Sequence, residues 1–252
     1  MNTISEVFDA PLTLSAVADT KWRAICRTVP KSLEVYALLL CKPGNPLLIV
    51  DVDLPSQEVS GGKCTVDASD VVAAGQRASR DGLVVAGSVH RHPFGGSWLS
   101  GTDERLLEYM AVELASEMAV PVNQTRRPVS LSLRVNELSV VKSVSGRDIG
   151  PGTYTLSGVE IEETVNVSRV YCLVWSPGNG YYGASANVLY DPTLGCPRRE
   201  YRYLPGLTVE KKGGKAGIDV TSIRRDARKL VRESHAWSPA GYEEHDTCSP
   251  RQ

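Results

Sequence analysis

Several things are scarce in this chain of 252 residues, and each scarcity excludes a class of protein. No apolar run approaches the roughly 18 residues that a membrane-spanning helix needs. Neither sign of charge prevails: 28 Lys and Arg stand against 29 Asp and Glu, which argues against a general binder of nucleic acid or of membrane surfaces. The opening residues carry Glu6 and Asp9 where an export signal carries Lys or Arg, so a cytoplasmic location is expected. The six cysteines, Cys26, Cys41, Cys64, Cys172, Cys196 and Cys248, include no C-x-x-C pair of the zinc or dithiol type. A chain of this size needs no disulfide staples, so scattered reduced thiols are expected. Histidine is rarer still, with four in the chain, and two of them, His90 and His92, are separated by a single residue.

The composition that remains, 42% hydrophobic and 23% charged, is that of a globular protein. The spacing of Leu14, Val17, Trp22 and Ile25 predicts a helix from Leu12 to Val29, stopped at Pro30. Leu33 to Cys41 is a nearly continuous apolar run with Glu34 near its start, the pattern of a strand buried on both faces. A Pro- and Gly-containing turn links it to Leu47–Val52 as a hairpin. A helix from about Ala68 to Ala78 follows, then a short buried strand from Leu83 to Val89, with His90 and His92 as it ends. Pro93, Gly95 and Gly96 break the backbone before a helix over about 102–118, whose Leu106, Leu107, Met110 and Leu114 share one face. From Val129 to Tyr190 the texture is that of strands, with a Gly- and Pro-containing loop at 145–152. A last helix is expected from Thr221 to His235, and a polar tail after Ser238. His235, His245 and Cys248 fall in or beside that tail, a poor setting for a second metal.

Side chains alternate along a strand, so His90 and His92 point to one face, one pleat apart. Two imidazoles so placed can bind one metal ion, and imidazole suits zinc. Asp103, eleven residues after His92 at the start of the next helix, can return a carboxylate to the strand end. Two histidines, a carboxylate and a water complete a tetrahedral site with one open position. The plainer alternative is that the histidines are polar strand-end surface and that Ser100 and Asp103 only cap the helix. Glu34 in its apolar run requires a partner, because a buried carboxylate without one costs several kcal/mol.

Together these residues resemble the JAMM (MPN+) metalloprotease family. Its motif is a Glu on an early strand, then H-x-H-P, six residues and S-x-x-D. Here Glu34 stands in LEVYALLL, and the second part reads HRHPFGGSWLSGTD, from His90 through His92, Pro93 and Ser100 to Asp103. Trp98, two residues before Ser100, is an aromatic of the kind the family often has there. Two positions depart from the pattern: Arg91 replaces the usual Ser or Thr between the histidines, and Ala37 stands where a Gly is typical. Strand alternation turns Arg91 away from the metal, toward a role in substrate contacts.

The resemblance implies a hydrolase in which His90, His92 and Asp103 hold Zn²⁺, Glu34 acts as general base and Ser100 donates to the oxyanion. It implies an α/β fold of MPN type, a cytidine-deaminase-like mixed sheet flanked by helices. On this reading residues 1–10 are an N-terminal arm and 11–205 the catalytic domain, with an insertion near 145–166. Residues 206–252 are a basic C-terminal extension. The implied substrate is the isopeptide bond, or C-terminal adduct, of ubiquitin or a ubiquitin-like protein, whose tail adds as a strand at a sheet edge. Gly95, Gly96 and Trp98 would form one wall of the groove. Residues 191–235 carry 11 Lys and Arg against 6 Asp and Glu, which is either a solvated face or a docking surface for an acidic partner such as a proteasome-like assembly. The alternatives are a non-catalytic MPN scaffold subunit and a hydrolase acting on a small sulfur-carrier protein. A RadC-type protein would open its motif H-N-H-P-S-G, and a zinc deaminase would carry H-x-E and P-C-x-x-C; neither is present.

Overall fold

A computed structural model describes residues 9–114, 118–122, 126–135, 141–142, 148–149, 152–162, 165–190, 200–214 and 216–234. His235, His245, Cys248 and the tail expected after Ser238 lie outside these residues, as does most of the loop expected at 145–152.

The expected first helix is divided. Leu12–Leu14 is a short strand, β1, and α1 runs over Ala16–Thr28. Ser15 sets the boundary: its backbone is extended (φ −64°, ψ 157°) and its side chain accepts a hydrogen bond from the Ala18 N–H. A capping residue of this kind starts a helix and cannot lie inside one. β1 gains parallel partners distant in sequence, which no local pattern reveals.

The hairpin forms as expected from β2 (Val35–Lys42) and β3 (Asn45–Asp53). Two short strands unforeseen in the sequence follow, β4 (Gln57–Val59) and β5 (Cys64–Val66), then α2 (Ala68–Arg80) and β6 (Val84–Arg91). α3 spans Gly101–Leu114. The strand-rich half contains β7 (Val120–Val122), β8 (Arg126–Val135), β9 (Val141–Lys142), β10 (Asp148–Ile149) and β11 (Gly152–Glu162). It continues with β12 (Val165–Ser176), β13 (Gly180–Tyr190), β14 (Glu200–Pro205) and β15 (Val209–Lys211). The last helix, α4, covers Val220–Leu230, shorter than expected, and β16 (Val231–Glu233) takes up the residues after it. The β-branched Val231 leaves the helix to pair in parallel with β4.

One large mixed sheet has the order β14-β13-β12-β6-β2-β3-β1-β15, with β7 paired to the start of β12. β6 is central, antiparallel to β2 and parallel to β12. Gly87 makes the second pairing possible, since a Cβ there would lie 2.0 Å from the Tyr171 carbonyl oxygen. The antiparallel pairs β8–β11 and β9–β10 form small sheets of their own, as do β16, β4 and β5.

Helices pack on both faces of the large sheet, which explains the unbroken apolar run of β2. Val35, Ala37 and Leu39 belong to the main core with Trp22 and Ile25 of α1, and Leu38 and Leu40 pack with Ala74 and Ala78 of α2. Each fully buried Val, Leu or Ile side chain contributes about 1.5–3 kcal/mol. The chain is therefore a mixed α/β protein, with four helices among the described residues. None of these helices is long and apolar enough to cross a membrane.

Candidate metal centre

The central position of β6 brings the sequence motif together at one end of the sheet. His90 lies within the strand, fully enclosed, and His92 is the first residue to leave it. The chain then turns through Pro93–Gly95, where Phe94 (φ 56°) and Gly95 (φ 84°) both take left-handed backbone conformations. This turn is braced from outside: Phe94 N–H donates to the Lys31 carbonyl at 2.9 Å, and Asn179 of the β12–β13 turn donates to the Ser97 hydroxyl at 3.2 Å. The reversal delivers the first turn of α3 back to the strand end, with Asp103 pointing at the histidines.

Ser100 and Asp103 hold each other in both directions. The Ser100 N–H and hydroxyl each donate to Asp103 Oδ2 at 2.7 Å, and the Asp103 N–H donates back to the Ser100 oxygen at 3.3 Å. This is the reciprocal pattern of a capping box, so the capping role weighed for these two residues is realised. It leaves Oδ1 facing His90 Nε2 at 3.3 Å, while Oδ2 lies 3.9 Å from His92 Nε2. The two imidazole Nε2 atoms are 3.0 Å apart.

These separations can be compared with a metal's requirement. Tetrahedral zinc with bonds of roughly 2.0–2.1 Å needs donor atoms about 3.3–3.4 Å apart. The imidazole pair at 3.0 Å and the His90–Oδ1 pair at 3.3 Å lie near that value, the other carboxylate oxygen standing 3.9 Å from His92, and two imidazoles with one carboxylate are donors that zinc accepts. His90, His92 and Asp103 can hold a metal ion, their donor atoms all lying within 4.8 Å of one another.

The electrostatics fit a cation held among these groups. Burial works against a charged His90, but the hydrogen bond to Asp103 and the neighbouring Cys172 outweigh it and raise the imidazole to about 10. Burial would raise Asp103, yet His90 and the Ser100 hydrogen bonds hold it at about 2. His92 is lowered, first by burial and then by the charge on His90. Asp103 stays ionised, and His90 holds its proton beside it.

Glu34 stands one residue before β2 rather than within it, its N–H donating to the Ser60 carbonyl at 3.0 Å. It is half-buried, and its carboxyl is raised, mainly by burial, with His90 pulling it down and Asp103 pushing it up. Val35 pairs with Arg91 and Tyr36 with His90, so Glu34, just before them, lies at the same end of the sheet as the three donor groups.

Gly96 and Trp98 form a contact of their own. A Cβ on Gly96 would lie 2.5 Å from the Trp98 ring, and that ring sits 5.4 Å from the His92 imidazole, centroid to centroid. Trp98 is 61% exposed and Phe94 85%, so neither is a core anchor. Gly95, Gly96 and Trp98 thus border the histidines as a partly apolar rim.

Arg91 differs from its expectation. Its side chain does point away from the histidines, but it is buried rather than available to a substrate. The guanidinium lies among backbone carbonyls of α1 and the turn after it, including Val29 at 3.2 Å and Leu33 at 2.8 Å. The residue missed altogether is Gln57, which is buried; its amide accepts from Tyr36 N–H at 2.9 Å and donates to Tyr36 C=O at 2.8 Å. It closes the edge of β2 beside Glu34 as a neighbouring strand would. No local pattern distinguishes Gln57 in the sequence, whereas Arg91 could have been flagged as a charge alternating into a core face. No family model matches the chain, and a search of curated proteins finds no match.

Proposed function

We propose that the protein is a zinc-dependent hydrolase of amide bonds, a JAMM-type isopeptidase that releases ubiquitin or a ubiquitin-like protein from lysine-linked or C-terminal adducts. The observation that carries this reading is the convergence of His90, His92 and Asp103 on one point, with Glu34 at the same end of the sheet. Amide hydrolysis needs an activated water, an electrophile for the carbonyl oxygen and a proton for the leaving nitrogen. Zinc held by the two imidazoles and the carboxylate would supply the electrophile and acidify water.

The remaining work belongs to the protein. Glu34 takes the proton from water and later returns it to the departing amine, and its raised affinity for protons suits it to both steps. His90 and Asp103 are held by burial and by Ser100, so the donor set needs little rearrangement. The Ser100 hydroxyl has one proton, and here it goes to Asp103. Donation to an oxyanion requires that hydroxyl to rotate, so Ser100 serves the carboxylate first. An extended peptide passing over the exposed face of Trp98 would present its carbonyl to the donor set.

The test is cleavage of isopeptide-linked and linear ubiquitin-like fusions by the purified chain, with and without chelator. Chelator-sensitive cleavage of the isopeptide alone establishes both class and specificity. No zinc binding and no hydrolysis of any fusion, sulfur-carrier adducts included, would favour a non-catalytic scaffold instead.

A further inference from the structure

Arg91 sits between two groups proposed to hold metal, yet its own side chain serves the opposite face of β6. Guanidinium nitrogens donate to four main-chain carbonyls: Cys26 and Val29 at the end of α1, then Pro30 and Leu33 in the turn that follows. A helix C-terminus concentrates negative partial charge on carbonyls that have no partner within the helix. A guanidinium is the side chain best shaped to gather several of them, being planar with five donors in a fixed fork.

The last of these carbonyls belongs to Leu33, the residue before Glu34. On the other side of Glu34, Tyr36 is gripped at both backbone groups by the Gln57 amide. Glu34 itself contributes its N–H to Ser60. The main chain on either side of the proposed base is thereby tied down, and one of the ties originates in the strand residue that links His90 to His92.

We infer that Arg91 is a positioning residue that sets Glu34 against the metal-binding face, by clamping the end of α1 and the 30–33 turn to β6. The inference rests on the proposed role of Glu34. Its logic is one of registration: the histidines and the base come from different segments, and a single residue of the histidine strand fixes the separation between them. The departure from the usual Ser or Thr at this position then has a structural purpose that a short hydroxyl could not serve, because it reaches none of the four carbonyls.

The test compares wild type, Arg91→Met and Arg91→Lys as full-length zinc-loaded proteins. Hydrogen exchange read by mass spectrometry should show residues 31–36 of Arg91→Met opening at least ~10-fold faster than in wild type, with Arg91→Lys between them. Zinc affinity, measured by competition with a chromophoric chelator, should stay within ~3-fold, because the ligands lie on the other face. If Arg91→Met does not fold, Arg91→Lys is judged by the same two measurements. Unchanged exchange at 31–36, or a zinc affinity lowered more than ~10-fold in Arg91→Lys, overturns the inference. Where wild type hydrolyses an isopeptide, Arg91→Lys should lower kcat about 10-fold with KM held within about 2-fold. Added to Glu34→Gln it should cost nothing more, whereas full additivity also overturns the inference. A wild-type chain that binds zinc and hydrolyses nothing refutes the proposed activity, while the clamp is still decided by the exchange measurement.

Discussion

The two faces of β6 at its C-terminal end handle buried polar groups in opposite ways. On one face, His90 meets His92 and Asp103, three groups able to change charge and close enough to shift one another's proton affinities. On the other, Arg91 carries a permanent charge bonded to neutral carbonyls that have nothing to titrate. The first arrangement can accept a cation by giving up a proton. The second is a rigid support, since removing either side leaves buried groups unpaired. Adjacent residues of one strand thus separate chemistry from framework, and substitutions should divide along the same line.

The largest effect is expected from Glu34→Gln, which keeps the shape of the site and removes its base. Hydrolysis should fall by roughly 10²–10⁴-fold while zinc binds as before; undiminished turnover would end the assignment. Asp103→Asn strikes the titrating face directly. Its zinc affinity should drop by at least ~100-fold, beyond what loss of a supporting residue costs. Excess zinc should then raise the thermal midpoint of wild type but not of this variant. Arg91→Met is the opposite case: about 3 kcal/mol of stability lost in denaturant titration, with zinc affinity retained. If Arg91→Met lost zinc and Asp103→Asn lost only stability, the division between the faces would be wrong.

Smaller changes sharpen the picture. Ser100→Ala removes a helix cap and a donor to Asp103 together, so about 1 kcal/mol of stability and roughly 10-fold in zinc affinity should be lost. Trp98→Ala should alter stability by less than ~0.5 kcal/mol, as expected for a side chain 61% exposed. If the rim contacts substrate, KM should rise in the same variant with kcat held.

The group able to hold a metal was legible in the sequence because the constraint is local. His90 and His92 share a strand face by alternation, and the eleven residues to Asp103 suit a strand, a reversal and a first helical turn. The double-sided apolar run of β2 was legible for the same reason. β1, β4, β15 and β16 were not, since each has three residues and a partner far along the chain; nor was β5, three residues paired with the equally short β4. The parallel pairing of β6 with β12, more than 80 residues on, is equally invisible to a local pattern, although it seats His90 opposite Val174.

By itself, the sequence determined the β2–β3 hairpin and the succession α2, β6 and α3, the faces of β6 and the identity of the groups that meet at its end. Periodicity and spacing carry that information within a few turns or pleats. Tertiary structure alone decided that Glu34 comes to the same sheet end from another segment, that the Ser100 hydroxyl is spent on Asp103, and that Arg91 is enclosed by the end of α1. These depend on which carbonyls and carboxylates lie within hydrogen-bonding distance once the helices cover the sheet, a property of packing that no single segment contains.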